Sequence, residues 1–241
     1  AETLGSTSLI MTDKTGTLTL ADMRLVGIHS TSHVLSPNVL TGEEHTFTQE
    51  QKSLLELALL NVDVSIENPN EEKMKWTFRG RAFEVNIVKA CRLHGIPLDL
   101  LPSSPSHLVL PFNSTNKFSV SEKGGHYVLM GAPDILLKRS TLSKEEYLKV
   151  EAWIKKESSE GKRLIGMAKL AKKHNRKDFS ISEIENIDFL GMFAFFDPIR
   201  PEVPRAIENI ESHGIKIVLV TGDLVGTALS VSRDLGWRVA E

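Results

Sequence analysis

The sequence predicts an α/β fold: a parallel sheet with helical crossovers, opened by one N-terminal strand and interrupted by a large inserted α+β domain with an antiparallel sheet. Three observations carry this. Residues 7–12 (Thr-Ser-Leu-Ile-Met-Thr) read as a buried strand running into a polar turn at Asp13. From residue 189 onward strand and helix patterns alternate, which is the βαβα grammar of a parallel sheet. In between, strand-like segments follow one another directly, with Gly124-Gly125 as a hairpin turn. The expected division is a discontinuous domain over 1–21 and 198–241, with the inserted domain over 22–197.

Taken in order, the stretch from about Asp22 to Asn61 is mixed, with Ser, Thr, Gly and Pro between short apolar groups. A helix starts at Thr48, where Thr48 and Gln51 form a capping-box pair and Leu54, Leu55, Leu57 and Ala58 supply an apolar face. Residues 67–73 form a polar loop. A second helix covers 82–94 and is stopped by Gly95 in the position after the cap. Strands are expected over 108–112, 118–121 and 127–130. Ser143 and Glu146 cap a third helix running towards Glu157, with Gly161 just beyond it. A strand over 164–168 precedes a basic run, 169–177, expected to be a solvated loop. The closing βαβα consists of a strand over 189–196, a helix over 203–211 ended by Gly214, a strand over 215–220, and a helix ending near Gly236.

Bulk properties narrow the function classes. The chain has 241 residues, 41% hydrophobic and 25% charged, with a net charge of −2. That balance argues against a nucleic-acid or membrane-surface role, which needs a basic excess. No apolar run approaches the ~18–20 residues that span a bilayer. The opening residues are neither basic nor continuously apolar, unlike a signal peptide. Cys91 is the single cysteine, so neither an internal disulfide nor a thiolate-cluster zinc site can form. All of this fits the cytosol.

The chemistry gathers at predicted strand ends. Asp13-Lys14-Thr15-Gly16-Thr17-Leu18-Thr19 lies just past the end of a strand, where ligands bind in open α/β sheets. Alone, it also reads as a polar turn with Gly16 chosen for positive φ. Thr221-Gly222-Asp223 ends another strand and Asp197-Pro198 a third. Together they make a rim of carboxylates and hydroxyls suited to Mg²⁺ and phosphate.

Residues 13–19 match the phosphorylation motif of the P-type ATPases, and companions follow in family order. Residues 111–117 (Pro-Phe-Asn-Ser-Thr-Asn-Lys) resemble the nucleotide-pocket segment of the sodium/potassium pump branch. Residues 131–134 (Gly-Ala-Pro-Asp) resemble the family's KGAPE, and 161–164 its Gly-x-Arg segment. Residues 197–200 and 221–223 resemble its DPPR hinge and TGD. The resemblance covers essentially the whole chain and implies a haloacid-dehalogenase-like (Rossmann-like) parallel sheet, incomplete at the C-terminus.

It also implies ATP and Mg²⁺ as cofactors, with Asp13 as the phosphate acceptor. Lys14, Mg²⁺ and Thr221 with nearby backbone N–H groups would neutralise charge, Gly222 and Asp223 would complete the site, and Asp13 and Thr15 would hold the metal. Phosphatases of that superfamily carry a second Asp two residues after the nucleophile; here it is Thr15, so an aspartyl phosphate should persist, as a pump requires. No GxxxxGK[ST] loop exists, so ATP is held another way. By resemblance Phe112 stacks on adenine, Glu84 lies near the adenine amino group, Lys117 and Arg163 face the base edge and phosphates, and Gly131 belongs to the pocket. Two departures stand out: Met130 replaces the lysine of KGAPE, and Arg81 stands where relatives often have Asp.

The family's distal lysine and Gly-Asp-Gly-x-Asn-Asp segment, its actuator domain and its membrane helices are not in this sequence. The expectation is therefore part of the cytoplasmic face of a cation pump, whose transported ion is bound by membrane helices outside this chain. The alternative is a truncated, inert nucleotide-binding or interaction module. Residues 9–11, an open-edged strand in an incomplete sheet, are expected to favour self-association.

Overall fold

The computed structural model describes residues 7–31, 34–35, 47–101, 108–123, 125–170, 184–220 and 225–237. Its strands are β1 (Leu9–Asp13), β2 (Arg24–Ser30), β3 (Val34–Leu35), β4 (Ser65–Ile66), β5 (Phe78–Arg79), β6 (Leu108–Leu110), β7 (Phe118–Lys123), β8 (His126–Gly131), β9 (Arg163–Leu170), β10 (Ile187–Phe196) and β11 (Lys216–Val220). The α-helices are α1 (Gln49–Ala58), α2 (Ala82–Leu93), α3 (Pro133–Lys138), α4 (Lys144–Ser159), α5 (Val203–Ser212) and α6 (Val225–Asp234).

The larger body is a mixed α/β unit built on a seven-stranded antiparallel sheet, ordered β3-β2-β10-β9-β8-β7-β6. Helices cover both faces. Leu54, Leu55 and Ala58 of α1 and Ile87, Val88 and Cys91 of α2 pack with Leu25, Ile28, Met167, Phe193 and Phe195. On the opposite face Leu136 of α3 and Val150 of α4 join Phe118, Leu129, Ala168 and Ile187. β10 shows how one strand serves both sides: Phe193 and Phe195 face one core while Met192 and Ala194 face the other, the period of two that strand geometry imposes.

The helix starts follow their sequence signals. Thr48 and Gln51 bond reciprocally at the head of α1, as do Ser143 and Glu146 at the head of α4, each satisfying backbone donors the helix cannot. α2 ends at Leu93 with His94 as its cap, and Gly95 follows with φ +68°.

The second, smaller sheet pairs β1 with β11 in parallel, Leu9 opposite Lys216 through Asp13 opposite Val220. Val203 and Ile207 of α5 pack with Leu18, Ile217 and Leu219 on one face. The other face leaves Leu9 48% and Met11 68% exposed. The parallel sheet seen among the described residues has these two strands only. Residues 189–196 require a correction: they lie in β10, at the centre of the antiparallel sheet, and do not open a parallel βαβα unit. A near-continuous apolar run reports burial on both faces and says nothing about strand direction.

Two chain crossings join the sheets. Leu20 N–H donates to the Pro198 carbonyl at 2.9 Å, Arg200 N–H donates to the Leu18 carbonyl at 2.9 Å, and Thr19 bridges Ile199. Among the described residues no helix is long and apolar enough to cross a membrane.

Candidate functional site

The Asp13 loop is built by local chemistry. Thr15 (φ −76°, ψ 119°) followed by Gly16 (φ 80°, ψ −13°) has type II turn geometry, which needs positive φ at its second central residue and so selects glycine there. Asp13 caps the turn, its Oδ1 accepting from Lys14 N–H at 2.8 Å. The Asp13 carboxylate is exposed, as is Thr15, whereas Lys14 is buried.

Residues 197–200 brace this loop. Thr19 Oγ1 donates to Asp197 Oδ2 at 2.6 Å and accepts from Gly16 N–H at 3.2 Å. Asp22 N–H donates to Asp197 Oδ1 at 3.1 Å, and Arg200 Nη2 donates to the Gly16 carbonyl at 3.1 Å. Asp197 is therefore not a free rim carboxylate: it is buried and both its oxygens accept. Residues 221–223, the third element of the expected rim, lie outside the described residues.

Lys14, Thr15, Phe112, Lys117, Gly131 and Arg163 all line one cavity of about 950 Å³. Asp13 is not itself part of the wall, although Lys14 and Thr15, the two residues that follow it, are. Phe112 is 46% exposed and follows β6 in a non-strand segment, although the sequence pattern extends the strand to it. Asn113 shapes the next turn: its Oδ1 accepts from the N–H groups of Thr115 and Asn116 at 3.1 and 2.8 Å. Lys117 leaves that turn at φ +60°. Its carbonyl accepts from Ala132 N–H at 2.8 Å, tying the turn to the end of β8. Gly131 sits opposite Phe118, so close that a Cβ there would meet the Lys117 carbonyl oxygen at 2.3 Å.

Glu84 is placed differently from its expected neighbours. It is 0% exposed, does not line the cavity, and is bonded through Oε1 by Arg81 Nη2. Among the described residues its Oε2 has no hydrogen-bond partner. Burial raises its carboxyl pKa above the usual carboxylate range, with the Arg81 hydrogen bond and charge opposing that rise. Arg81 does line the cavity, its guanidinium 5.2 Å from the Phe83 ring centre and 6.0 Å from that of Phe112. Arg163 lies 5.6 Å from the same Phe83 ring.

Two further wall residues carry charge that the motif reading did not assign. Asp134 opens α3, and Lys162 follows α4. Lys162 Nζ donates to Glu157 Oε2 at 2.8 Å and to Glu160 Oε2 at 2.7 Å. Desolvation lowers its pKa, but those two carboxylates outweigh it and hold the ammonium above its usual range. Behind it, His29 is 1% exposed, with Nε2 3.7 Å from Glu157 Oε2 and its ring 5.7 Å from that of Trp153. A spacing signal for the Lys162 cluster exists in Glu157, Glu160 and Lys162; none exists for His29. Among the described residues the wall carries five basic side chains against two acidic ones, but Lys162 is paired with Glu157 and Glu160 and Arg81 with Glu84, which leaves Lys117 and Arg163 as the wall cations that could meet an anionic ligand.

Comparison with known proteins agrees with this architecture. Residues 50–202 match the family described as P-type ATPase, cytoplasmic domain N. The calcium-transporting ATPase of Bacillus subtilis (strain 168) is 26% identical over 259 residues, covering 97% of this chain and 29% of that protein. The sodium/potassium-transporting ATPase subunit alpha of Hydra vulgaris is 30% identical over 271 residues, covering 98% of this chain and 26% of that protein. The potassium-transporting ATPase alpha chain 2 of Homo sapiens is 28% identical over 270 residues, with coverage of 98% and 26%. The chain thus spans about a quarter of the length of these curated relatives. With a family match over more than half its length and a 30%-identical relative along nearly all of it, the chain belongs to the P-type ATPases and carries their cytoplasmic N domain.

Proposed function

We propose that this chain binds ATP in the cavity running from Phe112 to Lys14 and Thr15, and presents its γ-phosphate to Asp13 within a cation-transporting ATPase of which it forms a cytoplasmic part. One observation carries the reading: residues expected to meet the base and the two residues that follow the expected nucleophile line the same space. In this reading residues 22–197 hold the nucleotide, and residues 1–21 with 198–241 form the phosphorylation domain.

The step is an in-line displacement. An Asp13 carboxylate oxygen forms a bond to the γ-phosphorus, the bond from that phosphorus to the β,γ-bridging oxygen breaks, and ADP leaves. The Asp13 loop is held in one shape by Thr19, Asp197 and Arg200, which supports positioning as its main contribution. Lys117 and Arg163 supply positive charge along the phosphate path. Mg²⁺ is held by one or two carboxylates together with phosphate oxygens and water. The exposed Asp13, with no hydrogen-bond partner on Oδ2 among the described residues, fits that donor set with Thr15 beside it. When bound, the ion would neutralise phosphate charge. With Thr15 in place of an acid/base, the aspartyl phosphate outlives its formation, which a pump needs. The relatives' names give calcium, sodium/potassium and potassium transport; the ion moved here is a cation of this group.

Calorimetric titration with ATP tests the cavity. Phe112→Ala is expected to weaken binding by ~1–3 kcal/mol, about ten- to a hundredfold; equal affinity would refute the assignment. In the full-length protein, acid-stable, hydroxylamine-labile phosphate is expected on Asp13 and absent in Asp13→Asn. Phosphate on serine or threonine instead would overturn it.

A further inference from the structure

The bodies built on the two sheets meet once more outside the chain crossings, at the end of α4. That helix closes on a turn that satisfies most of its last carbonyls. Gly161 follows the cap at φ +78°, its N–H donating to the Ser158 carbonyl at 3.1 Å, while Lys162 N–H donates to the Glu157 carbonyl at 3.2 Å. These are the paired bonds that a left-handed glycine after a helix makes possible. The Lys156 carbonyl accepts from Glu160 N–H at 3.2 Å and from Ser159 Oγ at 2.7 Å. Of the four carbonyls a helix end leaves over, that of Ser159 remains. Arg233 of α6 fills it, Nη2 donating at 2.9 Å, with its positive charge at the negative end of the α4 dipole.

This bond spans the two bodies and joins residues 74 apart in sequence. α4 packs on the larger sheet through Val150, whereas Leu235 and Trp237, just past α6, pack with Leu18, Ile217 and Leu219 of the smaller body. The contact flanks the proposed nucleotide cavity: Ile154 and Ser158 of α4 and Val231 of α6 line it together with Lys14 and Thr15. A second cavity, of about 660 Å³, has Ser159 and Arg233 in its wall, so packing does not seal the seam.

Resting on the nucleotide reading above, we propose that Arg233 is a positioning residue: it clasps α6 to the end of α4 and so holds Asp13 in place relative to a nucleotide on the larger body. The two crossings alone leave the bodies able to turn, because a few residues at a hinge absorb such a rotation. A third tie, made by residues outside the crossings, removes that freedom. Phe112, Lys117, Gly131 and Arg163 belong to the larger body and Asp13 to the smaller. The clasp therefore acts on phosphate transfer and not on nucleotide binding, since a displacement of about 1 Å at the reacting atoms is enough to slow a reaction about a hundredfold.

Two measurements test this. Spin labels on Lys89→Cys in α2 and Glu208→Cys in α5, both exposed positions, report the distance between the bodies. Cys91 is buried and its thiol is pushed up to about 12, so it stays unlabelled. The distance distribution is expected to be narrow and to broaden in Arg233→Met, which keeps the bulk of this exposed side chain without a donor. It should stay narrow in Arg233→Lys, which keeps a cation, and in Ser159→Ala, because the acceptor is the backbone carbonyl. In the full-length protein Arg233→Met should slow phosphate transfer to Asp13 about ten- to a hundredfold, with ATP affinity by calorimetry unchanged and most of the rate restored in Arg233→Lys. A distribution indifferent to Arg233, an unchanged transfer rate, or a loss of ATP affinity that accounts for the slower rate would each overturn the inference and leave the nucleotide reading standing. If the unaltered full-length protein binds no ATP or carries no phosphate on Asp13, the nucleotide reading fails and the inference with it.

Discussion

Adding one methyl group at Gly131 should damage both the fold and the cavity. An alanine Cβ there would lie 2.3 Å from the Lys117 carbonyl oxygen and 2.5 Å from both Cα and Cβ of Phe118. Two of these three atoms are backbone, one in Phe118, which pairs with Gly131, and one in Lys117 just before that strand, so no rotamer change relieves the contact and the backbone must shift. Overpacking of this kind costs ~1–3 kcal/mol. The displaced carbonyl is also the acceptor for Ala132 N–H, and weakening that bond adds ~1 kcal/mol. Gly131→Ala is therefore expected to destabilise the chain by about 2–4 kcal/mol, read as a fall in the urea midpoint with an unchanged m-value. Nucleotide affinity should fall with it, because Lys117 and Gly131 both line the cavity. Gly95→Ala is the comparator: it has positive φ but no atom within 4 Å of the new Cβ, so it carries backbone strain alone, about 1 kcal/mol. Equal losses in the two variants would show that the close approach at Gly131 does not matter.

Three further outcomes follow from the same geometry. Burial lowers the His29 pKa below its ordinary 6.5, with Lys162 and Lys156 adding to the effect and Glu157 opposing it. The native state thus binds fewer protons than the unfolded one, and this contribution, present above pH 6.5, is lost as pH falls below it, by at most ~1.4 kcal/mol per pH unit; urea midpoints should drop further between pH 7.5 and 5.5 in the unaltered chain than in His29→Gln, and parallel drops would refute this. Asp197→Ala removes the acceptor for Thr19 Oγ1 and Asp22 N–H together and should cost about 3 kcal/mol, whereas a loss under 1 kcal/mol would mean that these bonds do not brace the loop. Met130 lines the cavity but is 3% exposed within the core, so Met130→Lys should tighten ATP binding only by extending its ammonium into the cavity, while lowering the thermal midpoint; unchanged affinity would show that the ammonium does not reach the phosphates.

Local constraints were the legible ones. The capping boxes at Thr48 and Ser143 and the stop at Gly95 each depend on residues within a few positions. So does the turn at Gly16, where positive φ leaves glycine as the natural choice. β2 was not legible, because residues 24–30 combine an irregular apolar pattern with a buried His29 and Ser30, and only pairing with β10 makes that segment a strand. The direction of β10 was illegible for a different reason: a strand central to either kind of sheet shows the same apolar run.

The site divides along the same line, with one exception. Asp197 is read from the sequence as a strand-end carboxylate, and only the long-range crossing of residues 18–22 past 197–200 converts it into a buried acceptor. No spacing rule reaches across that separation. Arg81 and Glu84 differ, because they stand at the cap and third position of α2, and residues three apart at a helix start share a face. An arginine there will find the glutamate before any ligand does, since the pair forms within one turn and costs no loop closure. Treating Glu84 as a base-reading carboxylate therefore requires an uncharged or acidic residue at position 81, and this chain has a cation. The substitution at one position changes the chemistry available at the other, and the helix geometry that couples them is visible in the sequence alone.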